Sequence, residues 1–229
     1  MKNIIIWNDY VLDSHYPVET DEQLRSFFDR KFDQCQCLYL GQAETNAWKS
    51  SLSCVDGITI GTRPTLMFPT LPSIKIQRLF DENRNVYGFE IAEQSKHLLD
   101  IISENNDEIC FIEDCIVKGY TVRTIIQNLK NETSRKICFF TLASVRSNVD
   151  KLRQEYPFLD VKANYWLEGE TTGEWDCTVL FMSDLFSGEN MFINDRRRLE
   201  QCFYSSYDDV RAYCLKNMNL IMNIHKGGA

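Results

Sequence analysis

Residues Ile109-Cys110-Phe111-Ile112-Glu113-Asp114-Cys115-Ile116-Val117-Lys118-Gly119-Tyr120-Thr121 read as an apolar strand ending in two acids, followed by a glycine turn that opens a helix. A strand that ends at the carboxyl edge of a parallel sheet presents its last side chains to the crevice where open α/β folds bind ligands. Two carboxylates there can accept the hydroxyl protons of a ribose. The turn from Val117 to Thr121 would bring backbone N–H groups, the positive end of a helix and the Thr121 hydroxyl to one place, which suits a phosphate dianion. Gly119 lets the backbone approach the anion closely. Lys118 could add an ammonium contact or obstruct the cradle.

Holding such a site requires alternating strands and helices, and the flanking sequence supplies them. Val122, Ile125, Ile126 and Leu129 recur at i, i+3, i+4 and i+7, the pattern of a helix with one buried stripe. Ile137 to Leu142 is a second apolar strand, and a helix from Ser147 to Tyr156 is ended by Pro157. Strand, helix, strand, helix predicts a mostly parallel sheet with Ile109 to Ile112 and Ile137 to Leu142 as neighbours. Upstream, Ile4-Ile5-Ile6 opens a short strand, and Thr20 with Gln23 forms a capping box before Leu24, Phe27, Phe28 and Phe32. Gln36 to Leu40 is a strand closed by Gly41, and Ala43 to Leu52 a short helix. Gly61, Pro64, Pro69 and Pro72 divide Ile58 to Phe80 into extended segments and turns. The polar run Asp81 to Asn85 between strand-like Ile74 to Leu79 and Val86 to Phe89 predicts a hairpin tip or mobile loop, with a helix over Ile91 to Ile102 beyond. In the tail, Cys177 to Met182 is strand-like, Ser187 to Asn194 is loop, and Ser206 to Ile224 is a long helix with Val210, Tyr213 and Met218 inward.

Composition narrows the class. With 44% hydrophobic, 25% charged and 12% aromatic residues, the chain is globular. A formal charge of −8 makes a nucleic-acid partner unexpected, and Arg196-Arg197-Arg198, beside Asp195 and Glu200, reads as a solvated helix face. No apolar run reaches the roughly 20 residues of a membrane span. Nine cysteines are scattered without a CxxC pair, and alternation would bury Cys35 and Cys37 on one strand face; Cys35, Cys37, Cys110 and Cys138 are expected as buried free thiols. An odd count of free thiols fits a reducing, cytoplasmic setting. His15, His97 and His225 are too isolated for a metal site or a triad. One domain over residues 1–229 is expected, with a hood from parts of 1–20 and 160–229, and self-association is possible.

The order of features at Ile109 to Thr121 resembles the 5-phosphoribosyl-1-pyrophosphate (PRPP) motif of type I phosphoribosyltransferases. There, four mostly apolar residues precede two acids, two or three small or apolar residues, and a short Thr/Ser-Gly-x-Thr/Ser turn. The resemblance implies an α/β fold whose mostly parallel central sheet is flanked by helices and carries a small hood. It implies that Glu113 and Asp114 bind the ribose 2′- and 3′-hydroxyls, and that Val117, Lys118, Gly119, Tyr120 and Thr121 wrap the 5′-phosphate. Mg²⁺ would reach the site mostly through the ligand's pyrophosphate. A pyrophosphate loop would lie at Leu40-Gly41-Gln42-Ala43-Glu44 or Ile60-Gly61-Thr62-Arg63-Pro64. A catalytic loop would lie at Arg78 to Tyr87, with Arg78 and Arg84 as pyrophosphate ligands. Cys110, Cys115 and Lys118 depart from the motif. Val117 stands where purine-salvage members carry an acid, which disfavours that activity, and the lysine and histidine signature of the orotate enzymes is missing from Arg78 to Tyr87.

Three functions are compatible with these residues. One is a pentosyl glycosyltransferase of nucleotide metabolism that displaces pyrophosphate from PRPP. The second is a non-catalytic PRPP or nucleotide sensor, as in a regulatory module of a bacterial operon or conflict system; Lys118 and the indistinct pyrophosphate loop favour it. The third is an unrelated nucleotide-fold enzyme in which Glu113 and Asp114 hold a metal. Trp166 and Trp175, flanking Gly169 to Gly173, could stack on a base or serve as ordinary packing.

Overall fold

The computed structural model describes residues 2–7, 21–30, 35–52, 58–62, 71–82, 86–104, 108–129, 136–169, 177–181 and 207–227. The expectations for Thr20, Phe32, Arg84, Trp175, Ser187 to Asn194 and Arg196 to Arg198 lie outside them. In chain order the elements are β1 (Lys2–Trp7), α1 (Asp21–Asp29), β2 (Cys35–Leu40), α2 (Gln42–Leu52), β3 (Ile58–Gly61), β4 (Ile76–Phe80), β5 (Val86–Ile91) and α3 (Glu93–Glu104). Then follow β6 (Ile109–Ile116), α4 (Tyr120–Asn128), β7 (Ile137–Val145), α5 (Arg146–Glu155), β8 (Leu159–Leu167), β9 (Cys177–Phe181) and α6 (Tyr207–Gly227). The chain divides into two compact units, Met1–Ala47 with Thr171–Ala229, and Trp48–Glu170.

The first unit holds a three-stranded sheet of order β2-β1-β9, parallel throughout, with Ile4 opposite Cys37 and Thr178. The β-branched run of β1 supplies the fully buried Ile5 and Ile6. The apolar face of α1 buries Leu24 and Phe28, and the Phe27 ring stacks on Tyr213 of α6 with centroids 3.6 Å apart. On α6, Val210 is buried while Tyr213 and Met218 are half-buried.

The second unit is α/β with a four-stranded parallel sheet of order β3-β6-β7-β8 and a separate antiparallel hairpin, β4-β5. As expected, β6 and β7 are parallel neighbours, with Ile109 opposite Ile137 and Phe111 opposite Phe139; α4 lies between them in the chain. Phe111 and Phe139 are fully buried and stacked, with centroids 4.9 Å apart. Around them pack the apolar stripe of α4 (Val122, Ile125, Ile126) and Val149 and Leu152 of α5. A strand buried on both faces reads as a continuous apolar run, and β6 and β7 are such strands. β8 extends this sheet beyond β7, with Val161 opposite Phe139.

Cys110 and Cys138 are register partners on β6 and β7, both free and buried. Their hydrogen bond and burial push the Cys138 thiol well above its ordinary titration range, so it stays protonated. Burial pushes Cys214, on α6, up to about 12. Cys115 is half-buried. Among these four thiols of the native protein, a thiol-reactive dye should label Cys115 first and reach Cys110 and Cys138 only on unfolding, as read by peptide mass mapping over time. Rapid native labelling of the Cys110–Cys138 pair would contradict the packing of β6 on β7.

Candidate functional site

The strand carrying the acids runs further than the sequence indicates. Its ladder passes Glu113, opposite Thr141, and continues through Cys115 opposite Ala143 and Ile116 opposite Ser144. Glu113 and Asp114 therefore lie within β6, and consecutive strand residues leave the backbone on opposite faces. Their surroundings differ accordingly. Glu113 is buried, 8% exposed, and its carboxylate accepts a hydrogen bond from the hydroxyl of Thr62, just past β3. The Thr62 amide donates to the Ile112 carbonyl at 3.0 Å. Asp114 is half-buried, and its Oδ1 accepts from the Cys115 amide at 2.6 Å. Sequence reasoning treated the two acids alike and missed Thr62 as a partner, which sits 51 residues from Glu113 with no local signal.

Beyond Ile116, Val117 and Lys118 are half-buried, Gly119 is buried, Tyr120 is 48% exposed and Thr121 half-buried. Gly119 is the residue before the first turn of α4 and adopts φ 74, ψ 17, in the left-handed region. A Cβ there would lie 2.6 Å from Cδ1 of Leu152, so glycine is required by conformation and by packing. Gly119, at the N-cap of α4, has no side chain to cap the helix. The Arg123 amide donates to the Gly119 carbonyl at 3.0 Å and opens the helical ladder, so the amides before it lack an intrahelical acceptor. Two side chains hold the turn from behind: Asn148 Nδ2 donates to the Val117 carbonyl at 2.5 Å, and Arg123 Nη1 to the Lys118 carbonyl at 2.9 Å.

The first pyrophosphate-loop candidate, at Gly41 in the first unit, is filled by the protein's own acids. Asp21 Oδ2 accepts from the Gln42 amide at 2.9 Å, and Glu44 Oε2 from the Gly41 amide at 2.9 Å. Asp21 is further held by the Tyr39 hydroxyl at 2.7 Å, and Glu44 by Arg25 at 2.6 Å. Burial opposes ionisation of Glu44, but Arg25 and the backbone amides outweigh it and hold the carboxyl below its ordinary range. The N-terminus of α2 is thus already satisfied by carboxylates. The second candidate, Gly61-Thr62, lies at the end of β3 beside β6. Gly61 donates to the Pro72 carbonyl and accepts from the Ile74 amide, and Thr62 is on Glu113.

Arg78 lies on β4 directly opposite Phe89 of β5, so the two share a face of the hairpin. The Phe89 ring stacks on Tyr120, in the first turn of α4, at 4.8 Å and 19°. Arg78, Phe89 and Tyr120 therefore belong to one side of the ribbon. Trp166 is half-buried against the core, with the Arg146 guanidinium 4.7 Å and the Arg153 guanidinium 6.0 Å from its ring centroid, an ordinary packing role. Among the described residues no group of three or more His, Cys, Asp and Glu forms a metal centre, and no helix is long and apolar enough to cross a membrane.

No protein-family model matches the chain, and no curated protein does. Among the solved structures that align with the chain are the following three. The AQ2163 protein from Aquifex aeolicus aligns with 71% of this chain and 84% of its own at 9% identity and a TM-score of 0.37. The TT1426 protein from Thermus thermophilus aligns with 56% of this chain and 84% of its own at 9% identity and a TM-score of 0.35. A purine phosphoribosyltransferase from Pyrococcus horikoshii aligns with 61% of this chain and 85% of its own at 13% identity and a TM-score of 0.31.

Gly119→Ala tests the turn. The left-handed backbone costs an L-residue about 1–2 kcal/mol, and displacement of Leu152 adds to it. Urea unfolding should therefore show a loss of at least about 1 kcal/mol; unchanged stability would mean that the turn is not built this way.

Proposed function

We propose that this protein binds a 5-phosphorylated ribose, PRPP being the ligand that best fits the motif, with the phosphate at the start of α4 and the sugar hydroxyls at Asp114. The observation that carries the proposal is the first turn of α4 behind a left-handed Gly119 that offers no side-chain cap, three residues beyond Ile116 at the end of the strand that bears Asp114. Amides without an intrahelical acceptor, a positive helix end and a nearby hydroxyl on Thr121 suit a phosphate dianion. Glu113, bonded to Thr62, orders the adjoining β3 end, where pyrophosphate would lie between Gly61-Thr62 and Arg78 of the hairpin. Arg84 is assigned to the same anion by motif alone.

The reaction matching this ligand is phosphoribosyl transfer: an acceptor nucleophile forms a bond to the ribose C1, and the C1–O bond breaks with its electron pair leaving on pyrophosphate. Mg²⁺ carried by the diphosphate would neutralise the leaving group, and such an ion needs few protein oxygens. The chain's own part is positioning and electrostatic stabilisation. A specific observation also favours a non-catalytic sensor. One of the two acids, Glu113, is buried and engaged by Thr62, and Lys118 stands at the cradle.

Thermal unfolding with PRPP and Mg²⁺, ribose 5-phosphate or pyrophosphate tests binding. A ligand at a hundredfold excess over Kd stabilises the protein by about 2.7 kcal/mol. Asp114→Asn should weaken PRPP binding about tenfold or more, since a charge-assisted hydrogen bond contributes about 1.5–3 kcal/mol. No stabilisation by any of the three ligands would overturn the proposal. Pyrophosphate release with a panel of bases would establish the transferase, and tight binding without turnover the sensor.

A further inference from the structure

Asn148 is 8% exposed, on the face of α5 that also buries Val149 and Leu152. A primary amide at such a position costs free energy unless it is hydrogen-bonded. Its Nδ2 donates outside its own helix, to the Val117 carbonyl on the turn after β6. One peptide further on, the Lys118 carbonyl accepts from Nη1 of Arg123, whose Nε is fixed by Glu155 Oε2 at 2.9 Å. Burial opposes ionisation of Glu155, but bonds from Tyr156 and Arg123 hold its carboxyl below the ordinary range, so the pair stays charged at neutral pH.

The consequence follows from the peptide unit. No described peptide bond is cis, and in a trans peptide the N–H and C=O of one plane point in opposite directions. Drawing the Val117 carbonyl toward Asn148 turns the Lys118 N–H away from it. Drawing the Lys118 carbonyl toward Arg123 does the same for the Gly119 N–H. Each carbonyl dipole is thereby turned away from the direction of the N–H in its own plane, just before the first turn of α4, whose N-cap Gly119 has no capping side chain. Consecutive amides facing one way form an anion-binding concavity.

We propose that Asn148 and Arg123 are positioning residues, one from each of two successive helices, that orient the Lys118 and Gly119 amides for a phosphate without touching it. This rests on the phosphate-binding reading above. It assigns specificity for the anion to a buried neutral amide as well as to surface charge.

The test is isothermal titration of ribose 5-phosphate, well below the unfolding temperature, into wild type, Asn148→Ala, Arg123→Ala and Arg123→Gln, each checked for native near-ultraviolet dichroism. Asn148→Ala changes no charge, so the expected weakening of about tenfold cannot arise from long-range electrostatics. Arg123→Gln keeps a donor for the Lys118 carbonyl and should retain several-fold more affinity than Arg123→Ala. Folded Asn148→Ala with wild-type affinity would overturn the assignment while leaving the phosphate site standing. If wild type binds no ribose 5-phosphate, the binding reading fails and the assignment with it. Should Asn148→Ala not fold, the arginine pair decides: equal loss in both variants would mean that only the charge matters, and would sink the positioning role.

Discussion

The N–H groups at the start of α4 lack a carbonyl one turn earlier, and the N-cap residue, Gly119, has no side chain to stand in for it. A helix end in that condition is satisfied by a neighbouring side chain, by water or by a ligand. Much of the surrounding structure bears on the geometry of this turn. Gly119 takes a left-handed conformation against Leu152, the Val117 and Lys118 carbonyls are tied to Asn148 and Arg123, and Tyr120 is stacked under the hairpin by Phe89. The other strand-to-helix turn considered, at Gly41, shows the opposite arrangement. There Asp21 and Glu44 occupy the amides at the start of α2, with Arg25 and Tyr39 behind them. Both turns follow a parallel strand and carry a glycine, but their helices begin differently, α2 on two carboxylates and α4 on a glycine without a side chain.

The acids of β6 divide similarly. Because the ladder to β7 continues through Ile116, Glu113 and Asp114 face opposite sides of the sheet. Thr62 draws Glu113 to the end of β3 and links the strand before the hairpin to the strand before α4. Asp114 keeps partial exposure. Of the two acids, Asp114 is therefore the more accessible carboxylate.

The central β6-α4-β7-α5 run was legible because Ile109 to Ile112 and Ile137 to Leu142 are buried on both faces and so nearly unbroken in apolar residues, while Val122, Ile125, Ile126 and Leu129 keep strict helical spacing. The β4-β5 hairpin was legible from the polar run between two extended segments. Three features were not. β8 is the last strand of its sheet, and Lys162 and Asn164 interrupt its apolar pattern. The extension of β6 past the acids depends on pairing with Ala143 and Ser144, a tertiary event that outweighs the local signal of two carboxylates. The contacts of Glu113 with Thr62 and of Val117 with Asn148 join residues 51 and 31 positions apart, and nothing in either neighbourhood announces the partner.

The central claim is that the start of α4 is open to an anion and the start of α2 is closed. The most direct measurement is a titration of ribose 5-phosphate into ¹⁵N-labelled protein, following the assigned amide resonances by two-dimensional NMR. The account expects the largest, saturable shifts at Lys118, Gly119, Tyr120 and Thr121, with Gly41 and Gln42 unmoved because Glu44 and Asp21 already hold those amides. Saturable shifts at Gly41 and Gln42 with none at Lys118 to Thr121 would contradict it.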